Sequence, residues 1–341
     1  MPLIEMSVYI KLIFIIACSF LFNFLLVRYM HQVNILDIPN ERSSHTTIVP
    51  RSGGIGMFAA FVFGVFLFDI EHSYLFLIPL SGIFLVGLWD DIRSISSKKK
   101  LFLTACAAII LYQVGFDIQH FGTFLGHEIV FNYWVALLFF AFAISGFVSA
   151  LNLIDGLDGL ASVVSLAILC PFAYIGYKYA DTFLLYSTLI LMSAIGGFLI
   201  FNWHPAKIFM GDSGSMFLGF MISIIVVYSI QKDYITAIST LLLCAIPILD
   251  TLIVLLRRAL HHQNPLQADK THIHHLLLKQ QYGNTRKTVL LLGLTQMLFS
   301  YIGLGFKVRD DIFILVLYLF CFILFYMFLT PSAWVVNKEQ D

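Results

Sequence analysis

Two adjacent carboxylates, Asp90 and Asp91, stand at the end of a long apolar run, in the sequence Leu-Trp-Asp-Asp-Ile-Arg. Neighbouring acids at the C-terminal end of a helix repel each other and lie in the unfavourable field of the helix dipole. The pair is therefore costly unless a cation lies nearby. A solvated charge pair that faces Arg93 is the plainer interpretation, and these residues alone leave both open.

A second cluster combines one amide and two carboxylates, Asn152, Asp155 and Asp158, in the sequence Asn-Leu-Ile-Asp-Gly-Leu-Asp-Gly. Residues three apart on a helix lie on one face, so the three oxygen-bearing side chains would point the same way. The glycines permit tight turns and the close approach of another group. Oxygen-only ligands suit Mg²⁺, which proteins usually hold through one or two carboxylates and the phosphates of a substrate. A turn alone would explain one Asp-Gly step, whereas two steps with an asparagine favour a cation site.

A third acid, Asp212, stands at the start of another apolar run, in the sequence Phe-Met-Gly-Asp-Ser-Gly-Ser. Unpaired backbone N–H groups at a helix N-terminus attract anions. Nearby, Asn202 and Phe209 either supply a hydrogen bond and a stacking face for a base or simply pack at an interface. The string Gly-Asp-Ser-Gly also surrounds the nucleophile of trypsin-like proteases, but those proteins are β-barrels, and nothing in this sequence predicts a β-barrel.

Three histidines in four positions, His272, His274 and His275, follow the ninth apolar run. A zinc site is one interpretation, but no cysteine lies nearby, and oxygen-bearing clusters dominate elsewhere. With Lys270 and the pair Arg257–Arg258 close in sequence, the imidazoles make a better anion site, suited to a diphosphate.

Asp250 and the polar stretch between residues 37 and 56 each allow two interpretations. Asp250 lies inside an apolar run, where it either packs between helices or contacts the residues that form the site. The segments 37–45 and 50–56 contain basic residues and a Gly-Gly pair. They either join two spans or contact phosphate.

Long apolar runs must position these clusters, because such runs recur along the whole chain. The 341 residues are 60% hydrophobic and only 12% charged, with a mean hydropathy of +0.89. A soluble domain of this length needs more charge to cover its surface. The runs are continuous rather than alternating, and they approach the ~20 residues that a helix needs to cross a bilayer. The sequence predicts an all-α membrane protein with a single domain, residues 1–341, and eleven spans, roughly 7–27, 52–70, 74–89, 101–116, 133–151, 159–177, 182–201, 213–230, 235–256, 288–306 and 312–330.

The basic residues predict the orientation of these spans. With the N-terminus outside, fifteen of the twenty Lys and Arg residues lie on the inner side, as the positive-inside rule requires. The acidic and histidine clusters described above fall on that same side. Losing or gaining one span midway would scatter the charges over both faces. The inner basic residues are Arg28, Arg42, Arg51, Arg93, Lys98, Lys99, Lys100, Lys207, Arg257, Arg258, Lys270, Lys279, Arg286, Lys287 and Lys338.

Four motifs occur in order on these inner loops: Asp90–Asp91, Asn152 to Asp158, Phe209 to Ser215, and His272 to His275. With this order the chain resembles the polyprenyl-phosphate N-acetylhexosamine-1-phosphate transferases, glycosyltransferase family 4. Their relatives include the phospho-N-acetylmuramoyl-pentapeptide transferase of peptidoglycan synthesis. The resemblance runs from the Pro-x-x-Gly-Gly segment at 50–54 to the last span. Any single motif would be weak, whereas four in order are specific.

The resemblance implies an enzyme that transfers N-acetylhexosamine-1-phosphate from a UDP-sugar to undecaprenyl phosphate and releases UMP. It implies Mg²⁺ as cofactor, with Mn²⁺ as a substitute. It also implies a multi-pass protein of the bacterial inner membrane, with a periplasmic N-terminus and catalytic loops in the cytoplasm. The expected partners are a UDP-N-acetylhexosamine, undecaprenyl phosphate and membrane lipids. A homodimer is compatible with the resemblance, and nucleic acid is not an expected partner.

The resemblance also assigns roles to the residues that match the family motifs. Asp212 would bind Mg²⁺ with help from the side-chain oxygen of Asn152. The expected catalytic residues are Asp90 and Asp91 at the reaction centre, Asp155 and Asp158 on the nucleotide side, and His272, His274 and His275 at the diphosphate or sugar. The expected substrate-binding residues are Asn202 and Phe209 for uracil, and one of the three consecutive lysines, Lys99 and Lys100 foremost, for a phosphate.

The chemistry of such a transfer needs aligned attacking and leaving oxygens and neutralisation of negative charge. The acceptor phosphate is already largely ionised near neutral pH, so we expect single displacement, with Asp90 or Asp91 positioning the acceptor. The segment 37–45 resembles that of transferases which initiate O-antigen or related surface glycans. This likeness favours a simple donor such as UDP-GlcNAc or a 6-deoxy relative.

Other classes are weighed against this interpretation. The peptidoglycan transferase is the alternative within the same family. A transporter could also have eleven spans, but it should place ionisable groups near mid-bilayer, where only Asp250 is a good candidate. A membrane metalloprotease would need His-Glu-x-x-His on a helix, which the sequence lacks.

Overall fold

The computed structural model describes residues 5–29, 36–37, 49–262, 272–305 and 311–338; residues 36–37 and 329–338 are described by their backbone alone. Within these ranges the chain forms thirteen helices and two small antiparallel sheets. The helices are α1 Met6–Tyr29, α2 Gly53–Leu67, α3 Tyr74–Ile92, α4 Ser97–Gln113, α5 Tyr133–Ile154, α6 Leu160–Lys178, α7 Thr182–Asn202, α8 Gly211–Gln231, α9 Thr240–Leu243, α10 Ala245–Leu260, α11 Ile273–Gln280, α12 Thr285–Gly305 and α13 Asp311–Lys338. The strands are β1 Leu36–Asp37, β2 Val49–Pro50, β3 His120–Phe124 and β4 His127–Val130.

Eight of the described helices are long and apolar enough to cross a membrane: α1, α3, α5, α6, α7, α8, α12 and α13. α2 is a shorter apolar helix of 15 residues, and α4 and α10 have 17 and 16 residues. Each predicted span overlaps at least one helix. The chain is therefore a helical, multi-pass membrane protein, as predicted, while the count of eleven spans and their orientation stay predictions.

The predicted span 235–256 is wrong as a single helix, because the chain breaks between α9 and α10. Pro247 has no N–H group, and its ring would clash with the carbonyl of Leu243 in a continuous helix. Gln296 of α12 replaces the missing helical bonds. Its Nε2 donates to the carbonyl of Leu243 at 2.8 Å, and its Oε1 accepts the N–H of Ile246 at 2.9 Å. Such a side chain lets an interrupted helix persist inside an apolar bundle.

Two strand pairs were not anticipated by the all-α prediction. β3 and β4 form a hairpin between α4 and α5, and β1 pairs with β2 ahead of α2. The hairpin turn, Leu125–Gly126, has positive φ at both positions, 51° and 82°. Two-residue turns of this kind match the twist of paired strands. The strands are short, so their alternation is easily overlooked between apolar spans.

α8 lies at the centre of the bundle and is buried along nearly its whole length. α2, α3 and α5 pack around it. Phe58 of α2 stacks on Phe84 of α3 with ring centroids 4.0 Å apart, and it meets Phe217 of α8 edge-on at 5.4 Å. This packing fixes the three helices side by side, so the last turn of α3 and the first turns of α2 and α8 meet at one end of the bundle.

Candidate active site

Three helix ends meet in a charged cluster: the last turn of α3, the start of α4 and the first turn of α8. Lys100 of α4 donates to Oδ2 of Asp212, and its Nζ lies 3.3 Å from Oδ2 of Asp90. Both carboxylates are largely buried, with 10% of the Asp90 side chain and 8% of the Asp212 side chain exposed. Oδ1 of Asp90 accepts the N–H of Ile95 at 2.6 Å, which closes the turn between α3 and α4. Lys100 is therefore the nearby cation that the adjacent carboxylates Asp90 and Asp91 were expected to need.

Asp91 forms the N-terminal cap of α8 from the neighbouring helix. Its Oδ1 accepts the N–H of Asp212 at 2.8 Å, and its Oδ2 accepts the N–H of Ser213 at 3.0 Å. A carboxylate that the C-terminal end of α3 disfavours is thus stabilised by the N-terminal end of α8. Gly211 has a φ of 72°, and a Cβ added there would collide with the carboxylate of Asp91. Both features require glycine at this position.

Arg51 is the functional candidate that the sequence analysis did not single out. Its Nη2 donates to Oδ1 of Asp212 at 2.9 Å, and its Nε lies 3.4 Å from Oδ1 of Asp91. Backbone pairing holds Arg51 there. The N–H of Phe209 donates to the carbonyl of Pro50 at 2.8 Å, and the N–H of Gly53 donates to the carbonyl of Phe209 at 2.9 Å. The Pro-x-x-Gly-Gly segment was the available signal, because it combined a basic residue with a flexible backbone.

Asn152 connects the end of α5 to the same turn of α8. Its Nδ2 donates to Oγ of Ser215 at 2.8 Å, and that hydroxyl donates to the carbonyl of Gly211 at 3.0 Å. Ser215 lies about one helical turn after Asp212. The described hydrogen bond of Asn152 is therefore with a neighbour of Asp212, and its expected share in a metal site stays a prediction.

Asp155 is half-buried just beyond the end of α5. It interacts electrostatically with Arg51 and with the carboxylates of Asp212, Asp91 and Asp158, which shows that the acidic motifs share one region. Burial raises the pKa of Asp155 well above its usual value; Arg51 acts to lower the pKa, and the carboxylates of Asp212, Asp91 and Asp158 act to raise it. These surroundings therefore disfavour the charged form of this acid.

Asp158 and Asn202 join this acidic region to the segment between α7 and α8. Oδ2 of Asp158 lies 2.7 Å from Nδ1 of His204 and accepts the backbone N–H of Ala206 at 3.0 Å. Asn202 is buried, its Oδ1 accepts the N–H of Gly159 at 3.1 Å, and its Nδ2 donates to the carbonyl of Ile208 at 2.9 Å. Both side chains hold loops in place in this structure. Their expected contacts with the nucleotide stay predictions.

The histidine cluster reaches the acidic region through His274. This residue is 1% exposed, and neither ring nitrogen has a hydrogen-bond partner among the described residues. A Cβ added at Gly156 would overlap its Nε2. Burial, followed by the neighbouring imidazole of His275, lowers the pKa of His274 well below its usual value, which favours the neutral ring. His272 instead pairs with Asp250, and its Nδ1 lies 2.8 Å from Oδ2 of that acid.

Several expected residues lie at the margin of the site or outside the described chain. Lys98 and Lys99 are exposed, so Lys100 is the member of the lysine run that enters the charged cluster. Phe209 is half-buried beside Arg51, and its expected stacking on a base stays a prediction. Residues 38–45 and Lys270 lie outside the described residues.

The donor set of the charged cluster suits Mg²⁺ in its chemistry. Asp90 and Asp212 both direct carboxylate oxygens at one point, where the ammonium group of Lys100 already lies. Mg²⁺ is usually held by one or two carboxylates together with substrate phosphates. A ready-made group of three acidic or histidine ligands is therefore unnecessary, and the described residues contain none.

Comparison with known proteins identifies the class to which this fold and site belong. The family model of glycosyl transferase family 4 matches residues 73–230, the range from α3 to α8 that carries all five clustered acids, Asp90, Asp91, Asp155, Asp158 and Asp212. The chain belongs to this family, the polyprenyl-phosphate hexosamine-1-phosphate transferases, and is therefore a membrane-embedded transferase.

Similar proteins cover almost the whole chain. A "probable undecaprenyl-phosphate N-acetylglucosaminyl 1-phosphate transferase" of Bacillus subtilis (strain 168) is 31% identical over 314 residues, which cover 90% of this chain and 87% of the relative. The undecaprenyl-phosphate alpha-N-acetylglucosaminyl 1-phosphate transferase of Escherichia coli (strain K12) is 29% identical over 349 residues, 98% of this chain and 94% of the relative. The protein of the same name from Yersinia pestis is 29% identical over 354 residues, 99% and 95% of the two chains.

Proposed function

We propose that the chain transfers N-acetylhexosamine-1-phosphate from a UDP-sugar to undecaprenyl phosphate, which yields a lipid-diphosphate-sugar and UMP. The observation that carries this proposal is the meeting of Asp90, Asp91 and Asp212 with Arg51 and Lys100 at one end of the bundle. Cations and carboxylates set among buried helix ends suit a reaction between a phosphate monoester and a diphosphate. The names of the relatives support the same acceptor and sugar class.

The reaction requires an oxygen of the acceptor phosphate to attack the β-phosphorus of the donor. The bond from that phosphorus to the bridging oxygen breaks, and UMP leaves with the electron pair. Arg51 and Lys100 would bind the phosphate oxygens of the two substrates, and the carboxylates that hold both cations keep them in place for an in-line attack. Mg²⁺, held by Asp212 and Asp90, would supply further neutralisation of the diphosphate charge.

The hydrogen bonds of the paired acids favour single displacement. Both oxygens of Asp91 accept backbone N–H groups of α8, and Asp90 accepts one N–H while its second oxygen faces Lys100. A carboxylate engaged on both oxygens is a poor nucleophile, because an attack would break these bonds. The expected role of the pair is to position the cations and the first turn of α8. Trapping of a phosphorylated Asp90 or Asp91 during turnover would contradict this mechanism.

The setting that we propose is the bacterial inner membrane, with eleven spans, a periplasmic N-terminus and the charged cluster at the cytoplasmic surface. The bias of Lys and Arg towards one side supports this orientation. A donor such as UDP-GlcNAc, a role in starting O-antigen, lipopolysaccharide or another surface glycan, and a homodimer remain parts of the proposal. The relatives favour it over the peptidoglycan reaction, and charges that gather at one end of the bundle favour it over a transporter.

The test is an assay of the purified full-length protein with undecaprenyl phosphate, Mg²⁺ and a panel of UDP-sugars. UMP release and a lipid-diphosphate-sugar product are expected with at least one UDP-N-acetylhexosamine, and removal of divalent cations should stop both. Asp212→Asn should abolish turnover, because this acid contacts both cations of the cluster. Asp69→Asn is a matched control, since Asp69 is exposed just beyond the far end of α2. Near-normal Mg²⁺-dependent turnover in Asp212→Asn would remove this residue from the site.

A further inference from the structure

Asp250 is a fully buried carboxylate in the middle of α10, outside the charged cluster. An ionised carboxylate in such surroundings is costly unless both of its oxygens are paired. Here both oxygens bind the start of α11: Oδ1 accepts the N–H of Ile273 at 2.6 Å, and Oδ2 lies 2.8 Å from Nδ1 of His272. The acid thus fixes one backbone group and one ring of the histidine cluster at the same time.

The contact between Asp250 and His272 selects one tautomer of the imidazole. A carboxylate oxygen can only accept, so Nδ1 of His272 carries the proton of this contact, which in a neutral ring is the Nδ1–H tautomer. An acid that binds one nitrogen of a histidine in this way fixes the orientation of the ring as well as its tautomer.

The orientation of His272 is passed on to the acidic region by stacking. The rings of His272 and His274 lie 5.7 Å apart, centre to centre, at an angle of 17°. His274 in turn packs against Gly156, the residue that follows Asp155. A continuous series of contacts therefore leads from the middle of α10 to the second acidic motif.

We propose that Asp250 is a positioning residue of the transferase: it holds His272 in the Nδ1–H tautomer and keeps His274 against the loop that carries Asp155. The inference rests on the proposed function for its effect on turnover. Asp250 acts through the histidines, because its described hydrogen bonds go to His272 and Ile273. A carboxylate that served only as a cap for α11 would need the bond to Ile273 alone, and the tautomer of His272 would be irrelevant to it.

Asp250→Asn separates these two roles. The amide oxygen can still accept the N–H of Ile273 and cap α11, but the amide nitrogen then faces His272 as a donor, so the ring should switch to the Nε2–H tautomer. We expect kcat for UMP release to fall roughly 10–100-fold, as for other partners that orient a functional histidine, with little change in the melting temperature. Asp250→Glu, which keeps the charge, should retain the wild-type tautomer.

The tautomer is read from ¹⁵N spectra of the histidine-labelled full chain in nanodiscs, with the His272 signal assigned by its loss in His272→Gln. An Nδ1–H signal in the wild type and an Nε2–H signal in Asp250→Asn would support the proposal. An Nε2–H signal in the wild type would overturn it without any variant, even if Asp250→Asn failed to fold. Unchanged turnover in a folded Asp250→Asn protein would overturn it as well. The spectra report the tautomer whether or not the protein is active. A failure of the proposed function would therefore be seen separately, as the absence of UMP release from the wild type.

Discussion

The different bonding of Asp90 and Asp91 predicts that equal substitutions in the two acids have unequal effects on stability. The side chain of Asp91 is fully buried and accepts two backbone N–H groups at the start of α8, those of Asp212 and Ser213. An asparagine in its place can accept only one of them, and its NH₂ group then opposes the other. A buried donor left without a partner costs about 1–3 kcal/mol. Asp90 keeps its bond to Ile95 as asparagine, because that bond uses a single oxygen.

We therefore expect Asp91→Asn to lower the free energy of unfolding by about 1–3 kcal/mol. For a chain of this size the melting temperature should fall by roughly 2–6 °C. Asp90→Asn should lose less than half as much, because Lys100 then keeps Asp212 as a partner. Turnover should fall in both variants, since Asp91 fixes Asp212 and Asp90 holds Lys100.

The assay is thermal unfolding of both variants and the wild type in the same detergent, followed by intrinsic fluorescence at one protein concentration. UMP release is measured on the same preparations. The reasoning would be refuted if Asp90→Asn were destabilised as much as Asp91→Asn. It would also be refuted if Asp91→Asn unfolded at the wild-type temperature, because the cap of α8 would then contribute nothing to the fold.

Three further substitutions examine the charged cluster. Lys100→Met removes the cation that lies between two carboxylates, so Mn²⁺ should bind more tightly while turnover falls. The affinity is measured by electron paramagnetic resonance titration. An unchanged affinity for Mn²⁺ would show that Lys100 does not occupy the position of the metal. Because the pKa of Asp155 is raised, a bound cation should ionise this acid and release a proton, so the affinity for Mn²⁺ should weaken as the pH falls. Calorimetry in two buffers of different ionisation enthalpy should show this proton release in the wild type but not in Asp155→Asn. Equal binding enthalpies in the two buffers for the wild type would contradict the coupling of Asp155 to the cation. Gly211→Ala places a Cβ at positive φ and should cost at least roughly 1–2 kcal/mol of stability, whereas Gly196→Ala, where an added Cβ meets nothing within 4 Å, should be near neutral.

Residue types, motif order and the family resemblance together predict that the acidic and histidine motifs meet. Asp90, Asp91, Asp155, Asp212 and His274 were all singled out from residue types and spacing, and the structure brings them together at one end of the bundle. The apolar runs likewise predicted the helices, because length and continuity are strong signals for membrane spans. The family itself was also predicted correctly, and the comparisons confirm it.

Partners that are distant in sequence could not be predicted in the same way. Arg51 enters the site because its backbone neighbours pair with Phe209, and residue types carry no record of such pairing. The resemblance predicts that Asn202 binds uracil, yet both ends of its amide bind backbone groups here. The break before α10 depends on Pro247 and on Gln296 of another helix. A local pattern shows the proline but gives no sign of the side chain that makes the break tolerable.

The cap of α8 by Asp91 also bears on the order in which the protein is built. α3 is synthesised long before the N–H groups that its acid must bind, because these lie 121 and 122 residues further along the chain. Throughout that interval Asp91 is without its two backbone donors, and the delay ends only when α8 has been synthesised. A polypeptide that ended before α8 would therefore lack the contact that joins the last turn of α3 to the centre of the bundle.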